Sequence, residues 1–107
     1  MSAPRILLRQ AADEEIDEAA RYIAERNLEP GKAFYDAIEA AFGYLAAHPG
    51  AGARRPNRNR RLADLRSWPI KGYENYVVFY LPLRDGGIDV LHVLHGARNI
   101  DRILERG

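Results

Sequence analysis

Residues 75–94 read NYVVFYLPLRDGGIDVLHVL. Val77, Val78, Phe79 and Tyr80 are β-branched or aromatic, the side chains that fit a pleated, half-buried surface, so Asn75 to Leu81 is expected to be a strand. Arg84-Asp85-Gly86-Gly87 is a hairpin turn signal, because glycine supplies the positive φ that a tight connection demands. Ile88 to Leu94 then returns as the next strand. Just before them, Arg61 to Ile70 is a candidate strand, and Pro69 confines it to a sheet edge or ends it, since proline donates nothing to the ladder. Together these segments predict a three-stranded antiparallel meander.

Further towards the N-terminus the hydrophobic period changes from 2 to 3.6. Ala12, Ile16, Ala19, Ala20 and Ile23 form one stripe of a helix over Ala11 to Arg26, with Asp13, Glu14 and Glu15 at its dipole-positive start. Asn27 to Gly31 breaks that helix. A second begins with Pro30 in its first turn, where a missing N–H costs nothing, and stops before Pro49. Its buried face is Phe34, Ile38, Ala41, Phe42 and Leu45. A link this short makes the two helices an antiparallel hairpin.

At the start of the chain, Arg5 to Arg9 reads as a short strand, with Ile6, Leu7 and Leu8 continuous enough to be buried on both faces. Proline and glycine punctuate His48 to Asn59, which is expected to be a loop. Arg98 to Arg106 is expected to be a short closing helix with Ile100, Ile103 and Leu104 on one side. The fold class is therefore α+β: an N-terminal strand, an α-helical hairpin, the meander and a short C-terminal helix. The helices cover one sheet face, and the other is partly wet or taken by a partner. One domain over residues 1–107 accounts for the whole length. Ile16, Ile23, Phe34, Ile38, Phe42, Leu45, Val78 and Val90 should share one core.

Composition narrows the function. The chain is 47% hydrophobic and 29% charged, the balance of an ordinary globular protein. No apolar run approaches the ~20 residues of a membrane span, and Ile6-Leu7-Leu8 is too short for a secretory signal core. The chain reads as cytoplasmic. With no cysteine, disulfides, thiolate metal sites and a catalytic thiol are excluded. No His and carboxylate pair has metal-ligand spacing on one helix. Gly50-Ala51-Gly52 follows a helix and lacks the lysine of a phosphate loop. Ser67 before Trp68 is no activated nucleophile. No metal and no cofactor is expected.

The net charge of +1 hides an asymmetry. Residues 1–53 carry five basic and nine acidic side chains, a net of −4, whereas residues 54–107 carry eleven basic and six acidic, a net of +5. The densest run is Arg54-Arg55-Pro56-Asn57-Arg58-Asn59-Arg60-Arg61, followed by Arg66 and Lys71, with Asp64 the one acid among them. Such a run is either a solvated loop or a docking surface for a polyanion or an acidic partner protein. Trp68 and Tyr73 are the nearby aromatics. Trp68 suits half-buried sheet packing better than base stacking.

Several segments together resemble the ParE/RelE superfamily of type II toxin–antitoxin toxins. They are the helix pair, His48-Pro49-Gly50 with the Gly-containing loop after it, Leu65-Arg66, and Gly72-Tyr73 ahead of Tyr76-Val77-Val78-Phe79-Tyr80. Val90-Leu91-His92-Val93-Leu94-His95-Gly96-Ala97-Arg98-Asn99 completes the set and resembles the family's V-x-H-x-x-R-(D/N) ending. RelE-like members are ribosome-dependent mRNA endonucleases that use basic residues and usually a tyrosine near the C-terminus. ParE-like members are DNA gyrase poisons with no established hydrolytic site. Nothing aromatic follows Tyr80 here, and the hairpin is long, so the resemblance favours the ParE branch.

That resemblance implies a cognate ParD-like antitoxin with a disordered segment that folds around the toxin, DNA gyrase as target, and a hetero-oligomer of toxin and antitoxin. It implies no membrane partner and no specific DNA binding without the antitoxin. Arg54, Arg55, Arg58, Arg60, Arg61, Arg66, Trp68 and Tyr73 are the candidate partner-binding residues. The alternative, a RelE-like nuclease, needs a base for the 2′-OH, an acid for the leaving oxygen and cations on the phosphorane. Arg61, Arg66, His92, His95 and Arg98 are the candidates for those roles. Three residues apart on a strand, His92 and His95 should face opposite ways. A structural role is the commoner one for each histidine. Gly96, at the strand-to-helix junction, is expected to adopt a backbone conformation closed to other residues. A third reading is a degenerate member that only binds its antitoxin.

Overall fold

The computed structural model describes residues 4–27, 31–96 and 102–103. Strand β1 (Arg5–Leu8) leads into α1 (Gln10–Asn27), followed by α2 (Gly31–Ala47). Strands β2 (Ala53–Arg54), β3 (Arg66–Ile70), β4 (Tyr73–Pro82) and β5 (Gly87–His95) complete the sheet, with a single 3-10 turn at Arg60–Leu62. The expected meander is present as β3-β4-β5, but it is the centre of a five-stranded mixed sheet ordered β1-β5-β4-β3-β2. Strand β1 runs parallel to β5, with Ile6 opposite Ile88 and Leu8 opposite Val90. The class is α+β as expected. Pro30 and nearly all of the expected closing helix, with Arg98, lie outside the described residues.

One core lies between helices and sheet. Ala12, Ile16, Ala19, Ala20 and Ile23 of α1 meet Phe34, Ile38, Phe42 and Leu45 of α2, over Ile70, Val78, Tyr80, Ile88, Val90 and Val93. All eight positions expected to share a core do so. Phe34 anchors this layer, with Tyr73 and Tyr76 edge-on to its ring at 5.2 and 5.6 Å.

The far face is partly covered. Leu62, Leu65, Phe79 and Leu94 form a second buried cluster, flanked by Val77, Leu81, Leu91 and Ile103. The arginine-rich segment itself supplies Leu62 and Leu65, so it folds back as a cover rather than hanging as a free loop. This corrects the strand expected from Arg61. The side-chain oxygen of Asn59 accepts from the Arg61 N–H (3.0 Å) and caps a helical turn. Pairing with β4 begins only at Arg66. Strand β2, two residues long, has no period to read and fell inside the expected loop. Pro69 sits beyond the end of β2, which pairs only with Arg66 and Ser67, so it disrupts no ladder on that side.

Burial corrects the reading of β1. The run Ile6-Leu7-Leu8 suggested a strand covered on both faces, yet Ile6 and Leu8 are 43% and 42% exposed. As the outermost strand, β1 has neighbours on one side only. Two features hold it there. Gly87 has φ +94°, and a Cβ on it would run into the Arg5 carbonyl. Arg9 forks onto buried Asp89 with contacts of 2.9 and 2.7 Å, and its N–H donates to the Val90 carbonyl. Positive φ also occurs at Gly72 and Gly86 but not at Gly96, where a Cβ would meet the Asn75 carbonyl at an ordinary 3.5 Å. The expected constraint on Gly96 is not there.

Candidate functional site

The arginine-rich segment is a built surface at the β2 edge. Its base is fixed from the sheet. The Tyr80 hydroxyl donates to the Pro49 carbonyl (2.8 Å) and accepts from the Gly52 N–H (2.9 Å). A Cβ at Gly52 would lie 2.8 Å from Cε1 of Tyr80, so glycine is needed for this approach. Burial pushes the Tyr80 phenol above its ordinary value, opposed by the Gly52 N–H and by Arg66. Arg66 donates to the carbonyls of Gly50 (3.0 Å) and Gly52 (2.9 Å) and pairs with Asp64 (3.2 Å).

The crest is shaped by asparagine. Asn57 donates to the carbonyls of Arg55 and Leu62 and accepts from the Asn59 N–H, an asparagine-led turn. These contacts divide the candidate arginines by role. Arg66 is structural. Arg54 lies near Asp64 (3.8 Å), and Arg55 stands over the Phe79 ring at 5.6 Å. Arg58, Arg60 and Arg61 are exposed and make no ion pair among the described residues. They are cations of this crest without a counter-charge among the described residues.

Trp68 and Tyr73 do not join that surface. Trp68 stacks on Tyr44 (5.4 Å), which stacks on His48 (4.6 Å), and both Trp68 and Tyr73 pack against the helix-side core. Leu62, beneath the arginines, belongs to the opposite sheet face. The packing reading of Trp68 is the one that holds.

Of the nuclease candidates, Arg98 lies outside the described residues. Nδ1 of His92 lies 3.0 and 3.2 Å from the two carboxylate oxygens of Glu15, and Oε1 also accepts the Val93 N–H at 3.0 Å. Glu15 thereby ties α1 to β5 beyond the point where β1 stops pairing. His95 lies edge-on to Tyr76 at 5.3 Å. Both histidines approach α1, contrary to simple alternation. The register between β4 and β5 shifts at Phe79/Tyr80, leaving Leu91 unpaired, so His92 sits directly beside a bulge, where the local alternation is broken. Arg66 is committed to the loop carbonyls.

Sequence reasoning missed a groove. Tyr22 of α1, Tyr76 of β4 and His95 of β5 line a depression of about 360 Å³ together with Glu15, Glu18 and Val93. Arg26 lies over the Tyr22 ring at 4.4 Å. No local signal marks it, since its walls come from three distant segments. Among the described residues no cluster of three or more metal-ligating side chains occurs, and no helix is long and apolar enough to cross a membrane.

The described residues form a small α+β domain, a helical pair on a mixed sheet with an arginine crest pinned at one edge. Residues 6–100 match the family model described as ParE toxin of type II toxin-antitoxin system, parDE. The chain belongs to this family, on the ParE branch. No curated protein matches it.

Proposed function

We propose that this toxin inhibits DNA gyrase by binding, without bond chemistry of its own, and that a ParD-like antitoxin neutralises it in a cytoplasmic hetero-oligomer. The family match supports the toxin–antitoxin role. Binding without bond chemistry is supported by one observation: Arg66, a cation of the nuclease candidates, is committed to the Gly50 and Gly52 carbonyls and to Asp64. A single domain over residues 1–107 carries the activity. An acidic antitoxin segment lies along Arg54, Arg55, Arg58, Arg60 and Arg61, where opposite charge steers its approach.

The purified chain should trap gyrase–DNA cleavage complexes or block supercoiling, and should leave mRNA on translating ribosomes intact. Ribosome-dependent cleavage lost in His92→Ala or Arg98→Ala would establish the RelE-like alternative instead. Co-expression with the small open reading frame immediately upstream, expected to encode a DNA-binding N-terminus, should relieve toxicity and yield a stable complex.

A further inference from the structure

We infer that the groove between α1 and the ends of β4 and β5 is a binding site for a guanidinium group carried on an alkyl chain, the head of an arginine side chain. The depression of about 360 Å³ described above adjoins a second of about 560 Å³, and the two share Tyr22, Tyr76 and His95. Such a cleft has room for one extended side chain or a small organic molecule. Its walls carry the groups that attract an organic cation. The rings of Tyr22 and Tyr76 present negative π-faces, and Arg26 over Tyr22 at 4.4 Å shows that ring already accepting a guanidinium. Carboxylates complete the set: Glu15 and Glu18 border the first depression and Glu74 the second.

The three carboxylates differ in what already occupies them. Glu15 holds His92 and the Val93 N–H, and Glu74 accepts from the Gly72 N–H at 2.8 Å. Glu18 makes no ion pair among the described residues. An anion is repelled from this wall, and a neutral apolar ligand would strip water from the Glu18 carboxylate with nothing in return. A cation gains from the carboxylate and from the rings together. Burial raises the Tyr76 phenol above its ordinary value, and Tyr22 and Glu18 raise it further, so the same negative surroundings that hold its proton favour an incoming positive charge. Guanidinium suits the site better than ammonium, because a plane can stack on a ring while its fork meets a carboxylate, and it sheds water more readily. Ala19 and Val93 offer apolar wall for the methylene stem. An arginine of a partner protein and a free alkylguanidine share this chemistry. The inference does not rest on the gyrase or antitoxin reading.

The test is an NMR chemical-shift titration of the full isotope-labelled chain with N-acetylarginine methylamide. Amide signals of Glu18, Tyr22, Tyr76 and Val93 should move and saturate in the millimolar range. The citrulline analogue has the same shape without the charge and should bind about tenfold more weakly, with the lysine analogue in between. Glu18→Gln should weaken binding about fivefold. Glu18 is exposed on α1 and glutamine is as good a helix former, so the fold is kept, which unmoved signals elsewhere verify. Arg26→Gln should instead tighten binding, because it removes a like charge from beside Tyr22. Propylguanidine separates the sources: affinity equal to that of the capped arginine assigns the site to the free head group, and weaker affinity assigns it to an arginine within a polypeptide. Absence of a saturable shift overturns the inference. So does equal binding of the citrulline or lysine analogue, or wild-type affinity in Glu18→Gln. None of these results alters the toxin–antitoxin reading, which stands or falls by its own assays.

Discussion

The two edges of the sheet are opposites. The β1 edge is aliphatic, four residues long, and held by backbone closeness at Gly87 and the Arg9–Asp89 fork. The β2 edge is only two residues long and gains its form from side chains: Tyr80 and Arg66 below, Asn57 and Asn59 above, with arginines at the crest. Apolar area removed from water governs how long a partner stays, whereas exposed charge governs how fast it arrives. One edge offers apolar surface and the other exposed charge.

Unseating β1 should have the largest effect. Gly87→Ala places a side chain at φ +94° and against the Arg5 backbone, so the loss in unfolding free energy should be at least about 3 kcal/mol by denaturant titration. A loss below about 1 kcal/mol would mean that β1 is not held by that approach. At the other edge, Tyr80→Phe removes both hydrogen bonds of a buried hydroxyl, leaving the Pro49 carbonyl and Gly52 N–H to find other partners. A loss of about 2 kcal/mol is expected, with faster amide exchange around Gly52 and no change at Ile6 to Leu8.

Capture is tested by Arg58→Gln/Arg60→Gln/Arg61→Gln. Stability should stay within about 0.5 kcal/mol of wild type, because these side chains hold nothing in place. Stopped-flow association with the antitoxin should slow severalfold and lose part of its salt dependence, while dissociation is little altered. An unaltered salt slope would make the crest a solvated loop. The smallest expected effect is alkaline. Because burial raises the Tyr80 phenol, its contribution is complete below the unfolded value of 10.0 and declines as pH rises through the higher folded value. Tyr80→Phe should therefore flatten part of the stability loss above about pH 10.

Both edges show where reading the chain succeeds and where it stops. The stripes of α1 and α2 and the strand over Val77 to Leu81 were legible because their apolar spacing repeats over several turns or pleats. Ile6-Leu7-Leu8 had the same hydrophobicity as a central strand, and nothing local records whether a second neighbour lies alongside. The arginine run was visible as charge, yet its division into structural Arg66 and free Arg58, Arg60 and Arg61 depends on carbonyls 14 and 16 positions from Arg66 in sequence. For the candidate histidines, alternation gave one answer and the bulge another.

Local chemistry, then, determined the α+β class, the helix-side core and the charge asymmetry, because periodicity and composition are properties of neighbouring residues. Tertiary structure alone decided that β1 joins β5 in parallel at an open edge, that Leu62 and Leu65 turn the arginine segment into a cover, and that Glu15 pairs with His92. Each of these depends on a backbone approach or side-chain pairing between segments tens of residues apart. Those pairings are set by packing the whole chain at once.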